Sequence, residues 1–321
     1  MNDQAPPAKI YALHLGVVGL LFALNFVLPD YHQSLFSRIM VLAAFAMGYN
    51  LLFGYVGLLS LGHAMFFAAG LYGSGLAVVH LGWGVPLAFA GGVACGALLS
   101  LAVGLLALRT SGVAFMIVTM MFAQAFFLAI LYFAPWTGGD QGVVVPQAVR
   151  VVHLAGASLD LTHPTVRYMT ALAVLCVALL VTLAIVRSRH GRVLVAIREN
   201  EERTKMLGYD TFAGKLAAMV VSGTLCAAAG AAYALLFGYV GSNFASIQYS
   251  ILPLLWVLLG GAATVLGPLV GTLVMYYVID VTSFYTSAYL LVVGVVLILL
   301  VLFFPRGVLG TLRERWLGWL P

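Results

Sequence analysis

Charge is what this sequence has least of. Only 8% of its 321 residues are Asp, Glu, Lys or Arg, about a third of the share in soluble domains. A soluble chain of this length could not cover its surface with so few charges. The apolar residues, 63% of the chain, must therefore face lipid as well as a core. Glycine is plentiful, at 35 residues, which suits helices whose backbones approach closely in a membrane.

Chemistry-bearing patterns are scarce too. No GxxxxGK[ST] run occurs, so the chain lacks the usual P-loop for ATP. No HExxH, GxSxG or paired-carboxylate constellation occurs either, which argues against an intramembrane enzyme. Cys95, Cys176 and Cys226 lie in apolar stretches without CxxC spacing and read as small buried hydrophobes. Asp140, His153, Asp160 and His163 match no zinc spacing, so no metal is expected. Within apolar stretches the ionisable residues are mainly His63 and Asp280. An ion-coupled carrier ordinarily needs more buried carboxylates or histidines than that. A transporter so equipped is either passive or driven by a partner.

What the sequence does have is a series of apolar runs near 20 residues, the length that crosses about 30 Å of hydrocarbon. About ten transmembrane helices are expected, near 10–28, 36–57, 60–79, 84–107, 112–134, 166–187, 212–239, 248–265, 268–284 and 287–304. The first run is longer than a signal-peptide core and no A-x-A pattern follows, so it is expected to be retained. The net charge of +5 sits mainly in Arg187–Lys215 and Arg306–Arg315. That is the pattern of cytoplasmic loops, not of a nucleic-acid surface. It places segment 188–211, the tail 305–321 and both termini in the cytoplasm, and loop 135–165 outside. Arg38, Arg150 and Arg167 run against this bias.

The heptad LLFGYVG occurs twice, at Leu51–Gly57 and Leu235–Gly241. In this topology the copies end spans of opposite direction, as in transporters built from inverted repeats. The expected repeats are 36–134 and 212–304, separated by the outer loop, the sixth helix and the charged segment. The fold expected is therefore an all-α integral membrane protein in one domain, 1–321.

Three regions carry candidate function. Residues 191–208 read as a short cytoplasmic helix with Val193, Leu194, Ile197 and Met206 on one side and Arg198, Glu202 and Lys205 elsewhere. Gly208 stops it, and it suits either docking to a soluble partner or fixing topology. Ser60, Gly62 and His63 lie where the second and third spans meet. They are expected to line a pathway or to be hydrogen-bonded inside the bundle. Thr119 and Gln124 on the fifth span suit a zwitterionic solute or helix-to-helix hydrogen bonds. Thr137, Gly138, Gly139 and Asp140 form a tight turn placed to meet a delivery protein or close the pathway.

Segment GRVLVAIRENEERTKMLGYD, 191–210, resembles the signature of the LivM-type permeases of branched-chain amino acid ABC importers. Segments GYVGLLSLGHAMFFAAGLYG (54–73), LRTSGVAFMIVTM (108–120), TGGDQGV (137–143) and LLGGAATVLGPLVGT (258–272) resemble the same family in the same order. Leu58 departs from it, standing where the family has Gln. The resemblance implies a type II-like importer permease in the bacterial inner membrane. It further implies a LivH-like second permease, LivG- and LivF-like ATPases that use ATP and Mg, a periplasmic solute-binding protein, and no cofactor on this chain. It makes Gly191, Arg192, Ala196, Ile197, Arg198, Glu199, Asn200 and Glu201 the ATPase-coupling residues. Gly191 would allow close approach, Ala196 and Ile197 would fill a groove, and Arg198 and Glu199 would set register. The implied solute is a branched-chain or related amino acid. Urea, short amides and aromatic or other carboxylates are alternatives. A standalone facilitator or ion-coupled carrier is the rival of a different class.

Overall fold

The structure is a computed structural model that describes residues 7–154, 157–286, 288, 291–292, 294–295, 298, 302–304 and 306–315. Its long helices are α1 (Pro7–Leu24), α2 (Asp30–Asn50, continued by a π-helical turn Leu51–Val56), α3 (His63–Leu81), α4 (Val85–Ala107) and α5 (Gly112–Tyr132). They continue with α7 (Pro164–Arg187), α10 (Thr211–Phe237), α11 (Ile247–Gly260) and α12 (Gly267–Tyr285). Short helices are α6 (Ala134–Thr137), α8 (Arg189–Glu199), α9 (Glu201–Met206) and α13 (Val308–Arg315). Among the described residues seven of the helices are long and apolar enough to cross a membrane, and α1 and α11 are shorter apolar helices. Each of the first nine expected spans falls on one of these helices. The tenth, near 287–304, lies largely outside the described residues, as does the end of the tail, 316–321.

Two boundaries differ from expectation for a visible reason. The eighth span, expected over 248–265, is the 14-residue α11, about 21 Å long at 1.5 Å per residue. It stops because Gly261 and Ala263 take positive φ, 117° and 56°, and the chain turns back into the bundle. Asn50 fastens that turn, donating to the Thr264 carbonyl (2.9 Å) and accepting from the Ala263 amide (3.1 Å). The third span starts at His63 rather than 60, because Gly57 ends the π turn in the left-handed region (φ 79°) and 58–62 runs as irregular backbone.

The long helices pack between distant parts of the chain. Helix α10 lies against α3 and α4, while α2 lies against α11 and α12, so the leading helix of each half packs on the other half. Small residues make this possible. A Cβ at Gly230 would overlap the Phe67 carbonyl, and one at Gly70 or Gly96 would overlap Ala227. Backbones that close gain van der Waals contact that lipid cannot match. The two LLFGYVG copies end up at opposite ends of the bundle. The first touches Arg198 of α8. The second pairs with the 143–145 segment, Val143 opposite Val240 and Val144 opposite Tyr239, in the two-stranded sheet β1 (Val143–Val144) and β4 (Tyr239–Val240). A hairpin of β2 (Val151–Leu154) and β3 (Ala157–Asp160) completes the sheet end.

Candidate functional site

The charged segment starts where Ser188 leaves helical geometry and its hydroxyl accepts the Gly191 amide at 3.1 Å. Gly191 lies under the Ile185 and Val186 carbonyls, where no Cβ fits. The expected single helix is two. Asn200 is extended (φ −162°) and its side chain caps α9 by accepting the Arg203 amide at 2.8 Å, a local bond that competes with helix continuation. Gly208, at φ 87°, terminates the pair.

The two helices are amphipathic, but their apolar anchors point inward. Leu194 and Ile197 are each 5% exposed, and Ile197 packs beside Gly214 of α10. The expectation that Ile197 fills a groove on a partner therefore gives way to a role in seating α8 on its own chain. Arg198 is tied internally as well. Its guanidinium donates to the Gly54 carbonyl and its stem covers Gly57. Glu201 accepts from Lys215 (2.7 Å), Thr211 (3.0 Å) and Lys205 (3.3 Å). What faces outward is Arg192, Val195, Ala196 and Glu199, followed by Met206 and Leu207, which are 84% and 70% exposed.

Ser60, Gly62, His63 and Thr119 do come together. The Ser60 hydroxyl accepts the Gly62 amide (3.2 Å), Thr119 accepts the Leu61 amide (3.3 Å), and Tyr49 donates to the Ser60 carbonyl (3.2 Å). Ser250 of α11 accepts the Ala64 amide at 3.0 Å. The irregular 58–62 backbone thus finds partners inside protein, the condition for its survival at membrane depth. His63 is fully buried, with Nε2 2.9 Å from the Ser222 hydroxyl. Ser222 spends its own proton on the Gly48 carbonyl at 2.6 Å, so His63 donates from Nε2 and its Nδ1 is a bare acceptor without a partner. The hydrogen-bonded alternative for His63 and Thr119 is the one this geometry displays. Gln124 is half-buried and stands apart from the cluster. Sequence reasoning missed Tyr49, Asn50, Ser222 and Ser250. Their signal was a lone polar group in an otherwise apolar run. Replacing Ser222 by Ala orphans the His63 donor and removes the hydroxyl bond to the Gly48 carbonyl. It should cost about 1–3 kcal/mol, read as a lowered unfolding midpoint in detergent, and an unchanged midpoint would deny the bond.

At the sheet end Thr137 donates to the Ile130 carbonyl (2.6 Å) and accepts the Gly139 amide (3.2 Å). Gly138, Gly139 and Gly142 take positive φ, the turn that TGGDQG requires. Asp140 accepts from Ser242 (3.3 Å) and the Gln141 carbonyl accepts from Tyr239 (3.2 Å). Of the four expected loop residues Asp140 reaches Ser242, next to the second heptad copy, while the copy itself meets Gln141 and Gly142.

Comparison with known proteins accords with this architecture. A family model described as branched-chain amino acid transport system / permease component matches residues 32–302. The chain is similar to the high-affinity branched-chain amino acid transport system permease protein LivM of Salmonella typhimurium, 24% identical across 96% of this chain and 76% of that one. It is 25% identical to LivM of Escherichia coli, across 86% and 69%. It is 23% identical to LivH of Escherichia coli, across 84% and 91%. No solved structure matches.

Proposed function

The chain belongs to the family of branched-chain amino acid transport system permease components, and on that premise we propose that it is one permease subunit of an ATP-driven importer in the bacterial inner membrane. Its described residues hold seven long apolar helices, as in a multi-pass protein, and its sequence has no P-loop motif. In this reading a second permease completes the pathway, and two ATPase subunits dock on α8 and α9. A periplasmic binding protein delivers a branched-chain or related amino acid to the sheet end. Both termini lie on the cytoplasmic side.

One observation carries the coupling role: the Arg198 bond to the Gly54 carbonyl. It joins the charged helix to the end of α2, immediately before the irregular segment that leads to His63. Beside α8 is an open groove of about 970 Å³, lined in part by Leu51, Ile185, Leu194, Tyr209 and Ala213. A displacement of α8 by a partner would, by the Arg198 bond, reach Leu58–Gly62 and, through Thr119, Ser222 and Ser250, three further helices. If the two expected repeats, 36–134 and 212–304, act as units, their crosswise contacts are where one would rock against the other.

The test is co-purification of the chain with its ATPases and ATP-dependent uptake in vesicles. A carboxylate at the exposed surface, Ala196→Glu, should lower ATPase recovery about fivefold while membrane insertion is kept, in line with ordinary losses at an interface centre. Solute concentrated by the isolated chain alone would overturn the reading.

A further inference from the structure

The three arginines that run against the charge bias meet in space. The Arg38 guanidinium carbon lies 5.2 Å from the centre of the Phe237 ring, and that of Arg167 lies 6.0 Å from it. Arg150 donates to the Leu236 carbonyl (3.4 Å), and its guanidinium occupies the space beside Gly238. All three therefore converge on Leu236–Gly238, inside the second heptad copy, although they come from α2, the outer loop and α7. Among the described residues none of them has a carboxylate within ion-pair distance; the ion pairs found there belong to Lys205 and Lys215. Arg167 spends one nitrogen on the Thr162 carbonyl (3.1 Å). The buried Nε atoms of Arg150 and Arg167 have no acceptor.

Three like charges held together around one aromatic ring repel each other. Ring faces attract cations by only about 0.5–2 kcal/mol each. Depth sharpens the problem. The helix that carries Arg38 runs 27 residues, Asp30–Val56, or about 40 Å, some 10 Å more than the hydrocarbon layer. Arg38 is eight residues, about 12 Å, inside its first residue, and it is exposed in the chain. Up to about 10 Å of that length can overhang, so Arg38 lies about 2–12 Å inside the hydrocarbon boundary, where a guanidinium turns toward water or a polar, protein-lined cavity rather than lipid tails. Guanidinium forks match carboxylates in geometry and charge, whereas a neutral amide such as urea offers nothing to offset three cations.

We infer that Arg38, Arg150 and Arg167 form a carboxylate-binding site around Phe237 at the outer mouth of the pathway, so that the solute carries a carboxylate. The Phe237 ring, which both guanidinium groups face, gives that site an aromatic wall suited to an apolar side group. This inference rests on the permease reading and narrows it to carboxylate-bearing solutes, amino acids included, to the exclusion of urea and short amides.

The experiment uses the complete importer in vesicles, with L-leucine, benzoate and urea as radiolabelled probes and variants Arg38→Gln, Arg167→Gln and Arg38→Lys. ATP-dependent uptake of a carboxylate probe but not of urea is expected. Its KM should rise about tenfold or more in the Gln variants, the scale of one lost charge-assisted bond, and less in Arg38→Lys. KM values within twofold of wild type in the Gln variants, or uptake of urea alone, would overturn the site. In parallel, benzoate and L-leucine binding is measured on the full chain in phosphatidylcholine nanodiscs, with and without phosphatidylglycerol. Saturable binding lost in Arg38→Gln supports the site even where vesicles show no uptake, an outcome that would count against the permease reading alone. No binding in either disc, or binding abolished by phosphatidylglycerol, would overturn it, the latter assigning the cluster to lipid headgroups.

Discussion

Arg198→Ala is expected to cut ATP-driven uptake about tenfold while the variant still inserts and still co-purifies with its ATPases. Helix α2 ends in a π turn whose last carbonyls, Gly54 among them, have no helical donor. Gly57 donates to Phe53 and Leu58 to Leu52, so the Gly54 oxygen takes its bond from Arg198 instead. Truncation removes that donor and uncovers Gly57, which has no room for a side chain while the Arg198 stem is present. The outward residues Arg192, Val195 and Ala196 are untouched, so docking persists. What goes is the bond through which α8 reaches α2. Coupling free energies of about 1–3 kcal/mol correspond to effects of roughly 5- to 150-fold, and tenfold lies within that range. Arg198→Lys keeps the charge without the planar fork and should fall between. Wild-type uptake in Arg198→Ala would dismiss α8 as the transmitting element.

The second large effect is expected at Glu201. Lys215 is nearly buried and its amine lies 2.7 Å from the Glu201 carboxylate. Removing one partner of a fully buried pair costs about 3–5 kcal/mol. Glu201 keeps about a third of its side chain exposed, at 32%, so solvent screening lowers the figure toward the surface range. Glu201→Ala should therefore cost about 2 kcal/mol, seen as a lower unfolding midpoint and faster amide exchange across 200–215. The pH dependence has a definite sign. Burial pushes the Glu201 carboxyl up, but the Lys215, Thr211 and Lys205 donors outweigh it and hold it below the usual glutamate range. A carboxyl lowered by folding stabilises the folded state fully above its unfolded value of about 4.3, and that contribution is lost as pH falls through the folded value. The midpoint difference between wild type and Glu201→Gln should thus be constant from pH 8 to 6 and shrink below about pH 4. A difference that held at pH 3 would rule the clamp out.

Much of this was legible in the residues. A span must satisfy its own backbone away from water, and apolar runs near 20 residues do so as helices, so those that became α2–α5, α7, α10 and α12 announced themselves by length. The repeated heptad pointed to two halves, and its copies do lie at opposite ends of the bundle. Charge density marked 188–211 as a segment apart, and glycines marked the TGGDQG turn. The failures have one kind of cause. The break at Asn200 comes from a side chain outbidding the helix for one amide, and the short α11 from Asn50 holding a turn more than two hundred residues away. Both are decided by side-chain hydrogen bonds that no periodicity records. Ile197 had the right pattern for an anchor; which body it anchors to depends on where Gly214 stands.

The sequence by itself determined a membrane-embedded, helical chain with one charged segment and no P-loop motif, because hydrocarbon thickness and the absence of water impose requirements that apolar runs meet locally. Only the tertiary structure decided which polar groups meet: Arg198 with the Gly54 carbonyl, His63 with Ser222, and three scattered arginines around Phe237. These pairings join residues far apart in the chain, and in a medium with no water each buried polar group takes whichever partner the helix packing brings within about 3 Å.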